Sequence, residues 1–335
     1  MNNQYNEQMA AYVDAQEAQS GINDVKVQPI PVQAQPLFPN GMPQAQVQPQ
    51  SPVAPSNQAG RAQRISAELG RLGYHVLPTD TLPTAGLFYP KGFEVSIRAA
   101  KGEEIKHWST MDDNEILSIS NAMNYIIERC VSVKSPIGGS WRDIKEVDKF
   151  YILLAIRELT FADDDQNLML PVSETNSIPL SKEMIHYVEF PEDIMRHYSE
   201  EERCFIFKLK KSGKTIKTYI PSVGMYEWIT NYVNRKQQEQ TAFDKDYVQY
   251  ASILIPDYRG LSQEMYDSYI RASHDYGPNE WALISKVYDS MKSALTPSVK
   301  YNMEDGTENE VPLSFRGGIK AIFSVSDSIS ELCGD

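Results

Sequence analysis

Apolar residues recur along this chain at two different periods. Ile116, Ile119, Met123, Ile126, Ile127, Cys130 and Val131 fall three or four residues apart, as on one face of a helix. Asp112 or Asp113 is placed to cap that helix, with Glu115 in its first turn. The loop Ser135–Ser140 (SPIGGS) interrupts it. A second helix is expected from Asp143, with Glu146 as capping-box partner and Val147, Phe150, Tyr151, Leu154 and Leu159 along it. Two helices joined by so short a loop are expected to pack antiparallel. Further on, Met225, Trp228, Ile229, Tyr232 and Val233 share one face of a helix from about Ser222 to Arg235. Phe243–Leu254, Ser262–His274 and Asn279–Leu295 complete the helical set, the last ended by Pro297. Residues 61–73 (RAQRISAELGRLG) predict one more short helix.

The other period is two. Phe93, Val95 and Ile97 alternate after a Pro/Gly turn and predict a strand. Leu168–Val172 and Ile178–Leu180 read as short extended pieces. Cys204–Leu209 and Thr215–Ile220 flank Lys210-Lys211-Ser212-Gly213-Lys214 as a hairpin, and Val299–Asn302 and Glu310–Phe315 flank Asp305-Gly306 as another. Ile319–Val325 closes the pattern as a strand or short helix. The fold class expected is α+β, with helical pairs interleaved with small β-hairpin elements.

The first 60 residues follow neither period. They hold twelve glutamines, eight prolines and five charged residues. Such a composition buries too little apolar surface to offset about 1–2 kcal/mol of backbone entropy per residue. Residues 1–75 are therefore expected to form a disordered, partly polyproline II arm, with a weak helix at Tyr5–Gln19. Residues 76–240 are expected to be an α+β core, and 241–335 a helical region with a terminal hairpin.

Composition narrows the function. No run of eighteen apolar residues occurs and the N-terminus lacks a signal-peptide pattern, so neither membrane nor export is expected. Cys130, Cys204 and Cys333 form no CxxC pair and no disulfide framework. A net charge of −13 disfavours nucleic acid as partner. Nineteen tyrosines, concentrated in the second half, suit surfaces that are wet when free and covered when assembled.

Chemical motifs are weak. Glu158, Asp163, Asp164 and Asp165 are the densest acidic cluster, and a metal-dependent hydrolase built on them is a remote alternative, since no EF-hand spacing follows. Ser212-Gly213-Lys214-Thr215 ends like a phosphate-binding loop, but Lys208 stands where its first glycine belongs. His75, His107, His186, His197 and His274 are scattered, with no nucleophile or metal spacing. Lys208, Lys210, Lys211, Lys214 and Lys217 give the first hairpin a basic face, readable as a docking strip for an acidic neighbour. No cofactor, metal or small-molecule substrate is expected.

The most informative segment is Leu82-Pro83-Thr84-Ala85-Gly86-Leu87-Phe88-Tyr89-Pro90, a corner too apolar for an idle loop. Together with Val95-Ser96-Ile97-Arg98, Ile126–Cys130 and Phe150-Tyr151-Ile152-Leu153-Leu154-Ala155-Ile156-Arg157, it resembles the baseplate hub and tail-assembly family of T-even-type bacteriophages over about residues 80–235, with an echo near 296–325. In some members of that family the resemblance would imply paired cysteines in a zinc-ribbon-like element. Leu170–Leu180 and Tyr301–Pro312 have none, so no zinc is implied here. The resemblance implies a non-enzymatic tail or baseplate subunit, assembled in the host cytoplasm and contacting other tail proteins. The alternative is a transient chaperone absent from the virion. Leu82, Pro83, Gly86, Phe88, Tyr89 and Pro90 would then anchor packing, within the body or against a neighbour.

Overall fold

The computed structural model describes residues 72–324, save 163–167, 174–175, 181–183, 211, 295–296, 303–305 and 316. The chain divides into two units, Met1–Ile65 and Ser66–Asp335. The first lies outside the described residues, as do most of the expected 1–75 arm and the helix expected over 61–73, apart from the turn at Leu72 and Gly73.

β1 (His75–Leu77), β2 (Glu94–Ile97) and β3 (Val131–Lys134) form an antiparallel sheet in that order. Alternation along the strands sends Leu77, Val95, Ile97 and Val131 into the core. α1 (Gly102–Ser109) precedes α2 (Ile116–Cys130). The expected helix thus ends one residue before Val131, because Val131 and Val133 alternate with Ser132 and Lys134 and suit a pleated strand. Its start also differs. Glu115 holds the cap position without a side-chain bond, while the Asp112 carboxylate accepts from the Asn114 N–H at 2.9 Å in a local turn. α3 (Glu146–Thr160) begins three residues after Asp143. Ser140 and Asp143 instead cap a 3-10 turn at Trp141–Asp143, and the extended, fully buried Ile144 separates that turn from the helix.

β4 (Met169–Pro171) and β5 (Ser177–Pro179) pair with each other. β6 (Ile185–Tyr187) edges a sheet with β10 (Pro297–Asn302) and β11 (Glu308–Pro312), in the order β11-β10-β6. α4 (Glu192–Met195) leads to β7 (Tyr198–Ser199), β8 (Cys204–Lys208) and β9 (Thr215–Thr218), where Lys208 faces Thr215 in the expected hairpin. Then follow α5 (Val223–Gln238), α6 (Lys245–Leu254) and α7 (Gln263–His274), whose first turns are capped by Ser222, Asp244 and Ser262. α8 (Pro278–Ala294) and a 3-10 turn at Ile319–Phe323 end the described chain. The fold is α+β, with small antiparallel sheets between helices.

Three apolar clusters organise these elements. The first gathers the β1–β3 sheet, Trp108, Ile126, Ile127, Ile152, Leu153 and Ile156, and is closed by Ile322 and Phe323. The second joins Phe88, Phe205, Phe207 and Ile216 to Ile253, Ile284 and Met291. In the third, Met225 and Tyr232 of α5 meet Val248 and Tyr266 of α6 and α7. Both later clusters span the expected 240/241 boundary, with the apolar faces of α6, α7 and α8 covered by residues from before Thr241.

Candidate functional site

The Leu82–Pro90 corner is built by a run of overlapping turns. The Ala85 N–H donates to the Leu82 carbonyl at 2.7 Å, the Leu87 N–H to Thr84 at 3.1 Å, and the Tyr89 N–H to Gly86 at 3.2 Å. Such tight reversal requires left-handed backbone at Ala85 (φ 49) and Gly86 (φ 75). A Cβ at Gly86 would stand 3.2 Å from Thr79 Oγ1, so the glycine also allows a close approach. Leu82, Phe88 and Tyr89 are buried, Pro83, Gly86 and Pro90 half-buried, and Leu87 is 39% exposed. The corner is thus packed into the body. Phe88 lies edge-on to Tyr198 at 5.3 Å and against Phe205 at 5.5 Å, while Tyr89 stacks on Phe93 at 4.2 Å.

A polar knot fastens it. Asp148, in the first turn of α3, is wholly buried. Its carboxylate accepts from the Thr84 N–H (2.9 Å), the Thr84 hydroxyl (2.8 Å) and the Tyr89 hydroxyl (2.6 Å). The Tyr89 oxygen in turn accepts from the Lys145 N–H at 2.9 Å, and Lys145 Nζ donates to the Ile220 carbonyl at 3.1 Å. Burial pushes the Asp148 carboxyl up to about 6, against the opposing pull of the Tyr89 and Thr84 hydrogen bonds and the Lys145 charge. Burial brings the Lys145 ammonium down to about 8, and it holds the Tyr89 phenol well above its usual range, helped by Asp148. Such a knot fixes a chain segment.

Sequence reasoning did not single out Asp148. Its signal is a carboxylate four residues before Ile152 and eight before Ile156, on the face of α3 that both bury.

The basic strip is partly consumed inside the molecule. Lys214 stands 3.9 Å from Glu280 and 5.7 Å from the centre of the Tyr276 ring, and Lys217 pairs with Glu202. Lys208 and Lys210 are exposed with no ion-pair partner among the described residues, and Lys211 lies outside them. Many of the tyrosines are also spent internally: Tyr247, Tyr250 and Tyr276 surround Trp281 at 4.7, 5.5 and 5.9 Å.

Asp163, Asp164 and Asp165 lie outside the described residues. Among those described, no three His, Cys, Asp or Glu side chains group to hold a metal. No described helix is long and apolar enough to cross a membrane. No family model, curated protein or solved structure matches this chain.

Proposed function

We propose that this chain is a structural or assembly subunit of a contractile-tailed bacteriophage, a baseplate hub or tail component that works through protein–protein contacts and performs no chemistry. One observation supports this reading above the others. Each of the segments that carry the resemblance sends residues into one core: Leu82, Tyr89, Val95 and Ile97 from the first two, Ile126, Ile127 and Cys130 from the third, and Ile152–Ile156 from the last. Segments scattered in sequence that pack on one another behave as one folding unit, as a shared family would require.

In this reading the Leu82–Pro90 corner sets the shape of the subunit from within. Contact with neighbours falls to the outer surface, where Lys208 and Lys210 offer local positive charge on a chain of net charge −13. Such charge steers encounter with an acidic neighbour more than it adds affinity. Deleting the gene and imaging the lysate by electron microscopy tests the proposal. Incomplete baseplates or missing tails are expected. Normal tails with full infectivity would contradict it.

A further inference from the structure

The Ile319–Phe323 turn joins the first cluster through its apolar side chains and two polar ties. Ile322 and Phe323 are buried, and Phe323 lies edge-on to Trp108 at 5.3 Å and 6.4 Å from Phe161. Trp108 has no exposed surface in this arrangement. The backbone bonds stay local: the Gly318 N–H donates to the Phe315 carbonyl at 3.0 Å and the Ala321 N–H to the Gly318 carbonyl at 3.2 Å. No strand pairs with residues 317–324 among the described residues. The first polar tie is the Trp108 indole N–H, which donates to the Lys320 carbonyl at 3.1 Å. The second is the Lys320 ammonium, 3.9 Å from the Asp113 carboxylate.

The approach to the turn can pivot. Gly317 (φ 91) and Gly318 (φ 75) are consecutive and both left-handed, and with no Cβ they can change direction at little steric cost. Opening at this pair exposes Ile322 and Phe323 and breaks the indole bond, whereas unfolding exposes all three clusters, so opening is the smaller step. The body then offers a groove floored by Trp108 and Phe161, with Asp113 at its rim. What fits that groove is shown by its present occupant: two apolar anchors, a carbonyl for the indole and a lysine for Asp113. A second copy carries the same segment, and none of these contacts requires the two sides to belong to one chain.

We propose that residues 317–324 form an exchangeable strap. They leave the groove by rotation at Gly317 and Gly318 while the body stays folded, and the open groove takes the same strap from a second copy of this chain. The groove beside Trp108 is thus a docking site between copies, closed in the single chain by its own strap.

Two measurements on the full chain test this. In hydrogen exchange corrected for intrinsic rates, the Trp108 indole N–H is expected to be at least roughly tenfold less protected than the Ile127 amide of α2, because opening releases the first and only unfolding releases the second. Equal protection overturns the strap. For exchange between copies, isotope-labelled and unlabelled chains are mixed at high concentration, joined with a zero-length carbodiimide and digested. Peptides linking Asp113 to Lys320 are expected to combine the two isotope forms. Those linking Asp193 of α4 to Lys286 of α8, an exposed ion pair, should stay within one form. Single-form peptides alone at Asp113 and Lys320 overturn seating in a second copy. Equal mixing at both pairs marks random collision and overturns it as well. Phe323→Ala removes an anchor and should lower the mixed fraction several-fold. An unchanged fraction in the folded variant overturns the proposal, and the wild-type chain alone decides if the variant does not fold.

Discussion

Tyr89 does two jobs with one oxygen, donating to Asp148 and accepting from the Lys145 backbone. Removing that oxygen leaves a buried carboxylate short of a donor and a buried N–H short of an acceptor. Each such loss costs about 1–3 kcal/mol. Tyr89→Phe is therefore expected to lower stability by about 2–3 kcal/mol, read as a fall in urea midpoint at constant m-value. A loss no larger than that of an average surface substitution would show that the knot does little. Gly224 makes a different kind of demand. A Cβ there would lie 2.6 Å from the Tyr258 ring, which is held in place by its hydroxyl's 3.0 Å hydrogen bond to Asp143. Gly224→Ala should cost about 1–3 kcal/mol by overpacking. Adding Tyr258→Ala should recover the steric part, so the double variant should lose less than the sum of the singles. Additive losses would rule the clash out.

The elements show what a sequence makes legible. α5, α6 and α7 are legible to within a few residues because apolar residues recur along them at helical spacing, a local signal, while the structure places Ser222, Asp244 and Ser262 as their caps. The β8–β9 hairpin was legible for the same reason. β1 and β3 were not: three- and four-residue strands are defined by pairing across the sheet, His75 with Ile97 and Ile97 with Val131, and nothing nearby in sequence announces such partners. α1 is not legible because GEEIKHWS buries only Glu104 and Trp108, too few positions for a period. Asp148 does not stand out in the sequence because a charge in the first turn of a helix ordinarily faces solvent, and only the corner's position turns it inward. The Ile319–Phe323 turn was open to reading as strand or helix, and its partner lies far back in the chain. The Trp108 indole N–H donates to the Lys320 carbonyl at 3.1 Å, and Phe323 lies edge-on to that indole at 5.3 Å. Phe323→Ala should cost about 3–5 kcal/mol and shift the Trp108 indole proton resonance. An unmoved resonance would mean that the turn does not plug the first cluster.

At the scale of the molecule, most of the described chain is occupied in holding itself together. The aromatic corner faces inward, Lys214 and Lys217 face Glu280 and Glu202, and Tyr247, Tyr250 and Tyr276 pack round Trp281. Three apolar clusters hold the described chain together, and internal packing of this kind is what a subunit needs if its outer surface is to present fixed geometry to neighbours. Cross-linking mass spectrometry on purified phage particles from the source of this sequence tests the proposed role most directly. The chain is expected in the particles at a fixed copy number, with cross-links from Lys208 or Lys210 to tail or baseplate proteins. Its absence from intact, infectious particles would contradict a structural place in the tail.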